Sequence, residues 1–64
     1  MLVNGENHVF NDPITVAMLT QQLGLDTRKI AVERNLAIVP KSLYDVTGLA
    51  EGDRLEIVNF VGGG

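Results

Sequence analysis

The stretch TVAMLTQQLGL, residues 15–25, holds the clearest helix signal in the chain and decides its fold. Thr15 is suited to the helix N-terminus, because its hydroxyl can accept a hydrogen bond from a backbone N–H that lacks a partner within the helix. The apolar side chains that recur at steps of three and four, and so share one face, are Val16, Leu19 and Leu23. Gly24 then stands where a left-handed residue ends many helices. The stretch predicts one short amphipathic helix.

A hairpin is predicted before this helix. Met1–Val3 and His8–Phe10 are apolar enough for two strands, and Asn4-Gly5 between them favours a tight turn. Glu6 and Asn7 lengthen the predicted connection, which leaves the turn type open.

Three further strands are predicted after the helix. Ile30–Glu33 and Ala37–Val39 form a second predicted hairpin, and residues 41–48 lack a regular pattern. Arg54–Asn59 alternates apolar and polar side chains, as a half-buried strand does. The side chains of this last strand predicted to face the core are Leu55 and Ile57.

One helix covers only one face of a sheet, so the sheet must curl around it. The first and last strands flank the helix crossover, and the simplest arrangement places them side by side and parallel in the middle. The order therefore predicts an α+β fold, a ubiquitin-like β-grasp with a mixed four- to five-stranded sheet curled around one helix. Residues 1–61 form the predicted domain, and residues 62–64 a flexible C-terminal glycine tail.

Composition narrows the classes of function. The chain of 64 residues has eight acids against five bases, no cysteine and one histidine. A disulfide framework, a cysteine nucleophile and a histidine-pair or thiolate metal site are thereby excluded. The bases are dispersed along the sequence, which disfavours nucleic-acid binding. No apolar run approaches the length of a membrane span and the start lacks a basic segment, so we expect a cytoplasmic protein that does not enter a membrane.

The glycines Gly62, Gly63 and Gly64 suggest chemistry at the end of the chain. A backbone without side chains can pass through a narrow channel and approach a phosphate closely. A carboxylate is a poor electrophile, but adenylation by a second enzyme would activate it, and sulfur could then displace AMP. In a chain without cysteine, the carbonyl of Gly64 is the only group that could carry sulfur covalently and reversibly.

Several motifs resemble the ThiS family, the sulfur-carrier proteins of thiamine biosynthesis. Beside the helix stretch and the order of elements, the segments that carry the resemblance are NGE at 4–6, IAVERNLAIVP at 30–40, EGDRLEIV at 51–58 and the terminal GGG. One departure is Leu36-Ala37, where family members often carry Gly-Glu. We expect it to alter a surface turn and not the chemistry of the tail.

The resemblance implies a carrier that is a co-substrate and not an enzyme, with no bound cofactor. A ThiF-like adenylyltransferase would use ATP and magnesium to adenylate Gly64. Sulfur supplied by a cysteine desulfurase would turn it into a thiocarboxylate, and a ThiG-like thiazole synthase would accept that sulfur. Gly62 and Gly63 would thread into the partners' active sites. We expect the chain to be a monomer when alone.

Three other functions stay open. The first is a MoaD-like sulfur carrier for molybdopterin synthesis, whose relatives tend to be longer and to carry prolines ahead of the glycines. A ubiquitin-like modifier joined to lysines through the terminal glycine is the second, and an interaction module with inert glycines is the third. Phe60 and Val61, where the chain leaves the last strand, suit either docking to a partner or packing on the core.

The remaining polar residues carry weaker signals. His8 is expected to be a surface or hydrogen-bonded histidine, and Ser42 lacks the setting of a catalytic nucleophile. Glu51 and Asp53 flank a turn without the spacing of a calcium loop. Lys41 is a candidate for docking near an edge strand.

Overall fold

A computed structural model of the protein describes residues 1–10 and 12–60. Its strands are β1 (Leu2–Val3), β2 (Glu6–Asn7), β3 (Ile14–Thr15), β4 (Ile30–Arg34), β5 (Ala37–Val39), β6 (Gly48–Leu49) and β7 (Arg54–Asn59). The α-helix α1 is Val16–Gln22, and single 3₁₀ turns lie at Thr27–Lys29 and Lys41–Leu43.

Five strands form one mixed sheet in the order β2-β1-β7-β4-β5. The last strand, β7, lies at the centre, parallel to β1 and antiparallel to β4. Hairpins complete both edges, β1 with β2 and β4 with β5. This is the ubiquitin-like β-grasp, and the predicted central parallel pair is confirmed. A second sheet of β3 and β6, antiparallel, is a feature that the sequence pattern did not reveal.

Both ends of α1 are capped as predicted. The Thr15 hydroxyl accepts a hydrogen bond from the Met18 backbone N–H at 3.2 Å. At the other end Gly24 has a φ of +72°, and its N–H donates to the Gln21 carbonyl at 3.0 Å. The Leu25 N–H donates to the Thr20 carbonyl at 2.9 Å, which completes a two-bond C-terminal cap. These bonds fix where the helix begins and where the chain turns back.

The hydrophobic core fills the space between α1 and the main sheet. Its buried members are Val3, Ile14, Val16, Leu19, Ile30, Val32, Val39, Tyr44 and Leu55. The predicted inward direction of Leu55 and Ile57 is confirmed, since Leu55 is fully buried and Ile57 packs against the core. Leu23, which follows the same helical period as Val16 and Leu19, is the C-cap residue and is 39% exposed. Thr20 is buried on α1 instead, with its hydroxyl satisfied by carbonyls one turn earlier.

The first hairpin is tighter than the sequence suggested. Asn4 and Gly5 both adopt positive φ, 51° and 82°, and form a complete two-residue turn of the kind that matches strand twist. The return strand therefore begins at once, with Glu6 opposite Val3 and Asn7 opposite Leu2. The prediction of a return strand at residues 8–10 was wrong because this turn needs no extra residues.

The second hairpin uses the same turn with a less suitable residue. Asn35 and Leu36 connect β4 to β5 with φ of 52° and 72°. Glycine adopts this left-handed conformation freely, as Gly5 does in the first hairpin, whereas a side chain makes it unfavourable by about 1–2 kcal/mol. Leu36 is 78% exposed, so little packing offsets that strain.

Replacing Leu36 with glycine is therefore expected to raise the free energy of unfolding by about 1 kcal/mol. The gain is measured by urea denaturation of Leu36→Gly beside the parent chain. Leu36→Ala is the matched control: it removes the exposed isobutyl group but keeps Cβ, and should gain little. An equal gain in both variants would show that left-handed strain is not the cause.

Candidate functional site

The candidate site lies where the chain leaves the centre of the sheet, at Asn59 and Phe60, the last described residues. On one side β7 pairs with β4 from Arg34 opposite Leu55 to Ile30 opposite Asn59. The Phe60 N–H then donates to the Lys29 carbonyl at 3.1 Å, which extends this attachment one residue beyond β7. The backbone is thus held to the point from which residue 61 departs. We call Asn59 and Phe60 the tail root.

The predictions for Val61, Gly62, Gly63 and Gly64 lie outside the described residues, as does the domain boundary at 61. They stay predictions.

The Phe60 side chain lies outside the core. It is 55% exposed and belongs neither to the buried cluster nor to the side chains packed against it. The Lys41 ammonium sits 5.0 Å from the centre of its ring. A cation over an aromatic face at an exposed site stabilises by about 0.5–1 kcal/mol. Phe60 is thus outside the buried core, and its docking to a partner stays a prediction.

Lys41 connects two segments at the tail root. Its Nζ donates to the Arg28 backbone carbonyl at 3.2 Å while covering the Phe60 ring. The residue begins the 3₁₀ turn that follows β5, so the end of β5 positions it. Lys41 thereby ties the turn at Thr27–Lys29 to the segment that leads into the tail.

Asp26 organises that turn. Its carboxylate caps the turn by accepting from the Arg28 backbone N–H at 2.9 Å, and it also accepts from Arg28 Nε at 3.1 Å and Nη2 at 2.9 Å. The side-chain bonds from Arg28, followed by its backbone bond, lower the pKa of Asp26 to about 2. The side-chain bonds and the negative charge of Asp26 in turn raise the pKa of Arg28. Both groups are therefore charged at neutral pH, and Asp26 offsets the charge of Arg28.

Three of the five basic residues lie beside the tail root, although they looked dispersed in sequence. They are Arg28, Lys29 and Lys41. The topology explains this clustering. In an antiparallel hairpin the start of β4 and the end of β5 lie at the same end of the sheet, and β7, antiparallel to β4, also finishes there. The second hairpin and the last strand were both predicted from the sequence. That the basic residues lie together becomes visible only once the pairing of β7 with β4 is known.

The other polar candidates have structural settings. His8 stacks on Phe10, with ring centroids 6.2 Å apart and planes 9° apart. Both carboxylate oxygens of Asp53 are used in hydrogen bonds to neighbouring turns. Ser42 lies in an exposed 3₁₀ turn and Glu51 is exposed. Across residues 1–10 and 12–60, no group of three histidine, cysteine or acidic side chains could hold a metal ion.

A depression of 420 Å³ lies elsewhere on the surface. Its walls include His8, Asp12 and Glu51 but no residue of the tail root or its basic neighbours. In the part of the chain that the structure describes, no helix has the length and apolar character needed to cross a membrane.

Comparisons with known proteins agree with this geometry. The sequence profile of the ThiS family matches residues 1–64. The chain is 40% identical over 53 residues to the sulfur carrier protein ThiS of Bacillus subtilis, an alignment that covers 83% of this chain and 80% of that one. The crystal structure of a thiamine biosynthesis protein (ThiS) from Geobacter metallireducens superposes with a TM-score of 0.83 at 29% identity, covering 98% of this chain and 96% of that one.

Longer relatives also contain a similar segment. The chain is 53% identical over 64 residues to a thiazole synthase of Paramagnetospirillum magneticum and 42% identical over 62 residues to one of Magnetococcus marinus. It spans about a fifth of the length of these relatives, 20% and 19%, while 100% and 97% of the chain itself is covered. With a profile match over all its residues and the β-grasp topology, the chain belongs to the ThiS family.

Proposed function

We propose that the chain is a sulfur carrier in thiamine biosynthesis and that the carboxylate of Gly64 carries the sulfur. The match of residues 1–64 to the ThiS family is the observation that carries this proposal. The geometry supports it: β7 is held between β1 and β4, and hydrogen bonding continues through Phe60. Such a scaffold can present the following residues to a second protein without rearranging.

The proposed chemistry starts with attack of the Gly64 carboxylate on the α-phosphorus of ATP. Pyrophosphate leaves, and the product is an acyl-adenylate. The terminal sulfur of a persulfide then attacks the carbonyl, AMP leaves, and an acyl disulfide forms. A thiol finally attacks the disulfide sulfur that is bonded to the persulfide carrier. The S–S bond breaks, which releases a mixed disulfide of thiol and carrier and leaves a thiocarboxylate on Gly64. The chain has no cysteine, so every thiol in this sequence belongs to a partner.

Each terminal residue has a proposed part in that sequence. Gly62 and Gly63 would occupy a channel too narrow for side chains and allow close approach to the phosphates. Phe60 and Val61 would contact the partner where the chain leaves the domain. The chain itself would act as a co-substrate and not as an enzyme.

The proposed partners are a ThiF-like adenylyltransferase that uses ATP and magnesium, a cysteine desulfurase as the indirect sulfur source, and a ThiG-like thiazole synthase as acceptor. The last has direct support from the relatives. Two proteins named thiazole synthase contain a segment similar to nearly all of this chain, and each of them is about five times as long as the chain. Those proteins join a carrier-like segment and a thiazole synthase in one polypeptide, as expected if the two act together.

Intact-mass analysis tests the proposal. The chain is incubated with ATP, magnesium, a ThiF-like adenylyltransferase, a cysteine desulfurase with cysteine, and a thiol. We expect a product heavier by one oxygen-to-sulfur exchange, which fragmentation maps to Gly64. An unchanged mass, under conditions that load the Bacillus subtilis protein with its own enzymes, would contradict the proposal.

A further inference from the structure

The charge at the tail root differs in sign from that of the whole chain. The chain carries a net charge of −3. Among the described residues, bonds at the backbone of Arg28 and Lys29 and at the side chain of Lys41 place these three bases beside Phe60, and Asp26 is the acid that pairs with one of them, so these four residues sum to about two positive charges. We call the side chains of Arg28, Lys29 and Lys41 the basic collar. The molecule is thus polarised, with its positive end where the chain departs toward Gly64.

Two cations of the basic collar are not neutralised by the fold. The Lys29 side chain is exposed and makes no hydrogen bond or salt bridge to the described residues, although its charge helps lower the pKa of Asp26. The Lys41 ammonium contacts a carbonyl and an aromatic ring, both uncharged. Only Arg28 has a carboxylate partner. Neither lysine forms an ion pair with a carboxylate of residues 1–10 or 12–60, so both charges can meet those of a second molecule.

We propose that the basic collar docks on acidic side chains around the entrance of the active site of the ThiF-like adenylyltransferase. This inference rests on the proposed function, because a carrier must deliver its end into that entrance. The Lys41 ammonium and the Lys29 backbone both contact Phe60, so an adenylyltransferase that takes up the following residues comes close to the collar. Charge complementarity indicates what the collar binds. Aspartates and glutamates on the adenylyltransferase would attract the positive end of the carrier and repel its acidic remainder.

A nucleic acid fits this surface less well than an acidic protein. Two free cations on a chain of net charge −3 are few for phosphate backbone binding, which needs several neutralised phosphates for useful affinity. Base stacking would need an open aromatic face, but Lys41 covers the Phe60 ring.

Exposed complementary charges act mainly on the rate of association and on its salt dependence. The basic collar should therefore orient the carrier during approach, with its tail root toward the partner. Lys29 is the best position for a test, since its side chain is exposed and its ammonium bonds to none of the residues that the structure describes.

The experiment measures association of the carrier with a purified ThiF-like adenylyltransferase by stopped-flow fluorescence. Lys29→Glu is expected to lower the association rate constant by roughly 3- to 10-fold in about 0.01 M salt. The difference should nearly vanish at about 1 M salt, where the screening length is roughly 3 Å. Arg54→Glu is the matched control: it makes the same charge change at an exposed site at the opposite end of β7 and should associate close to the parent rate.

Each other outcome overturns the proposal in a different way. Equal slowing by Lys29→Glu and Arg54→Glu would show an effect of net charge alone, and a parent rate for Lys29→Glu would show that the collar does not dock. Lys29-dependent binding of a fluorescent single-stranded oligonucleotide, without slowed association to the enzyme, would assign the collar to nucleic acid. If the parent chain neither binds the enzyme nor is loaded with sulfur, the proposed function itself fails.

Discussion

Capping the carboxylate of Gly64 as an amide is expected to reduce sulfur loading below detection while leaving the fold and its stability unchanged. An amide has no anionic oxygen to attack ATP, so the acyl-adenylate cannot form. The chain holds no cysteine that could accept the sulfur instead. Among the described residues the last buried core member is Leu55 and the last side chain packed against it is Ile57, so we expect the domain not to depend on the end group. Loading is read by intact mass and stability by thermal unfolding.

The control for this experiment is chemically matched. Both chains are made by ligating the same domain to a short synthetic peptide, one ending in the free acid and the other in the amide. The two products differ only at the end of Gly64, and both should bind the adenylyltransferase. Loading of the amide at a rate near that of the acid would refute Gly64 as the carrier site.

The elements with strong local signals were predicted well. Thr15 and Gly24 set the ends of α1 through their own hydroxyl and backbone conformation, so neighbouring sequence was enough to find them. The central place of β7 followed from a topological rule that needs only the order of elements. A helix cap depends on neighbouring residues and a crossover depends on the order of the elements, so both can be predicted from a single sequence.

Errors arose where pairing across the chain decides the structure. Ile14–Thr15 and Gly48–Leu49 are too short to show a strand period, and they are strands only because they pair with each other. Leu23 follows the helical period but lies past the last turn, where the chain bends away and leaves it half exposed. A helical repeat of apolar residues predicts which way a side chain points, but it does not predict whether the sheet extends far enough to cover that side chain.

The basic neighbours of the tail root illustrate the same limit for the candidate site. Lys29 and Lys41 are twelve positions apart, and each is an ordinary surface lysine in sequence. They become one surface because two antiparallel pairings bring the start of β4, the end of β5 and the end of β7 together. The chemistry proposed for Gly64 came from residue types alone, whereas the surroundings of Phe60 required the fold.

Asp53 shows a function of a turn residue that the sequence did not reveal. Its carboxylate is almost buried, with the residue 8% exposed, and lies just before β7. One oxygen accepts from the Ala50 N–H at 2.8 Å and from Arg34 Nε at 3.0 Å, and the other accepts from Asn35 Nδ2 at 3.1 Å. Asn35 in turn accepts from the Arg54 N–H at 3.0 Å. Asp53 thus joins the β4–β5 turn to the start of the strand that leads to the tail root.

Replacing Asp53 with alanine is therefore expected to lower the free energy of unfolding by about 2–4 kcal/mol, because three part-buried hydrogen bonds lose their charged acceptor. A domain of this size has only about 3–10 kcal/mol in total. Urea denaturation at pH 7 measures the loss. Asp45→Ala is the control with the same charge change at an exposed carboxylate, and should change stability by less than about 0.5 kcal/mol. Similar losses in the two variants would rule out the network as the cause.

The same variant has an expected pH dependence. Burial raises the pKa of Asp53, but the hydrogen bonds from Ala50, Asn35 and Arg34 outweigh it, so the pKa lies below its ordinary value of 3.8. A carboxyl group whose pKa is lower in the folded state stabilises the fold above the unfolded value, and this contribution is lost as the pH falls through the folded one. The stability gap between the parent and Asp53→Ala should thus stay constant from pH 7 to about 5 and narrow below 3.8. A gap that widens on acidification would mean that the folded state binds the proton more tightly than the unfolded chain, and the proposed hydrogen-bonded carboxylate would be wrong.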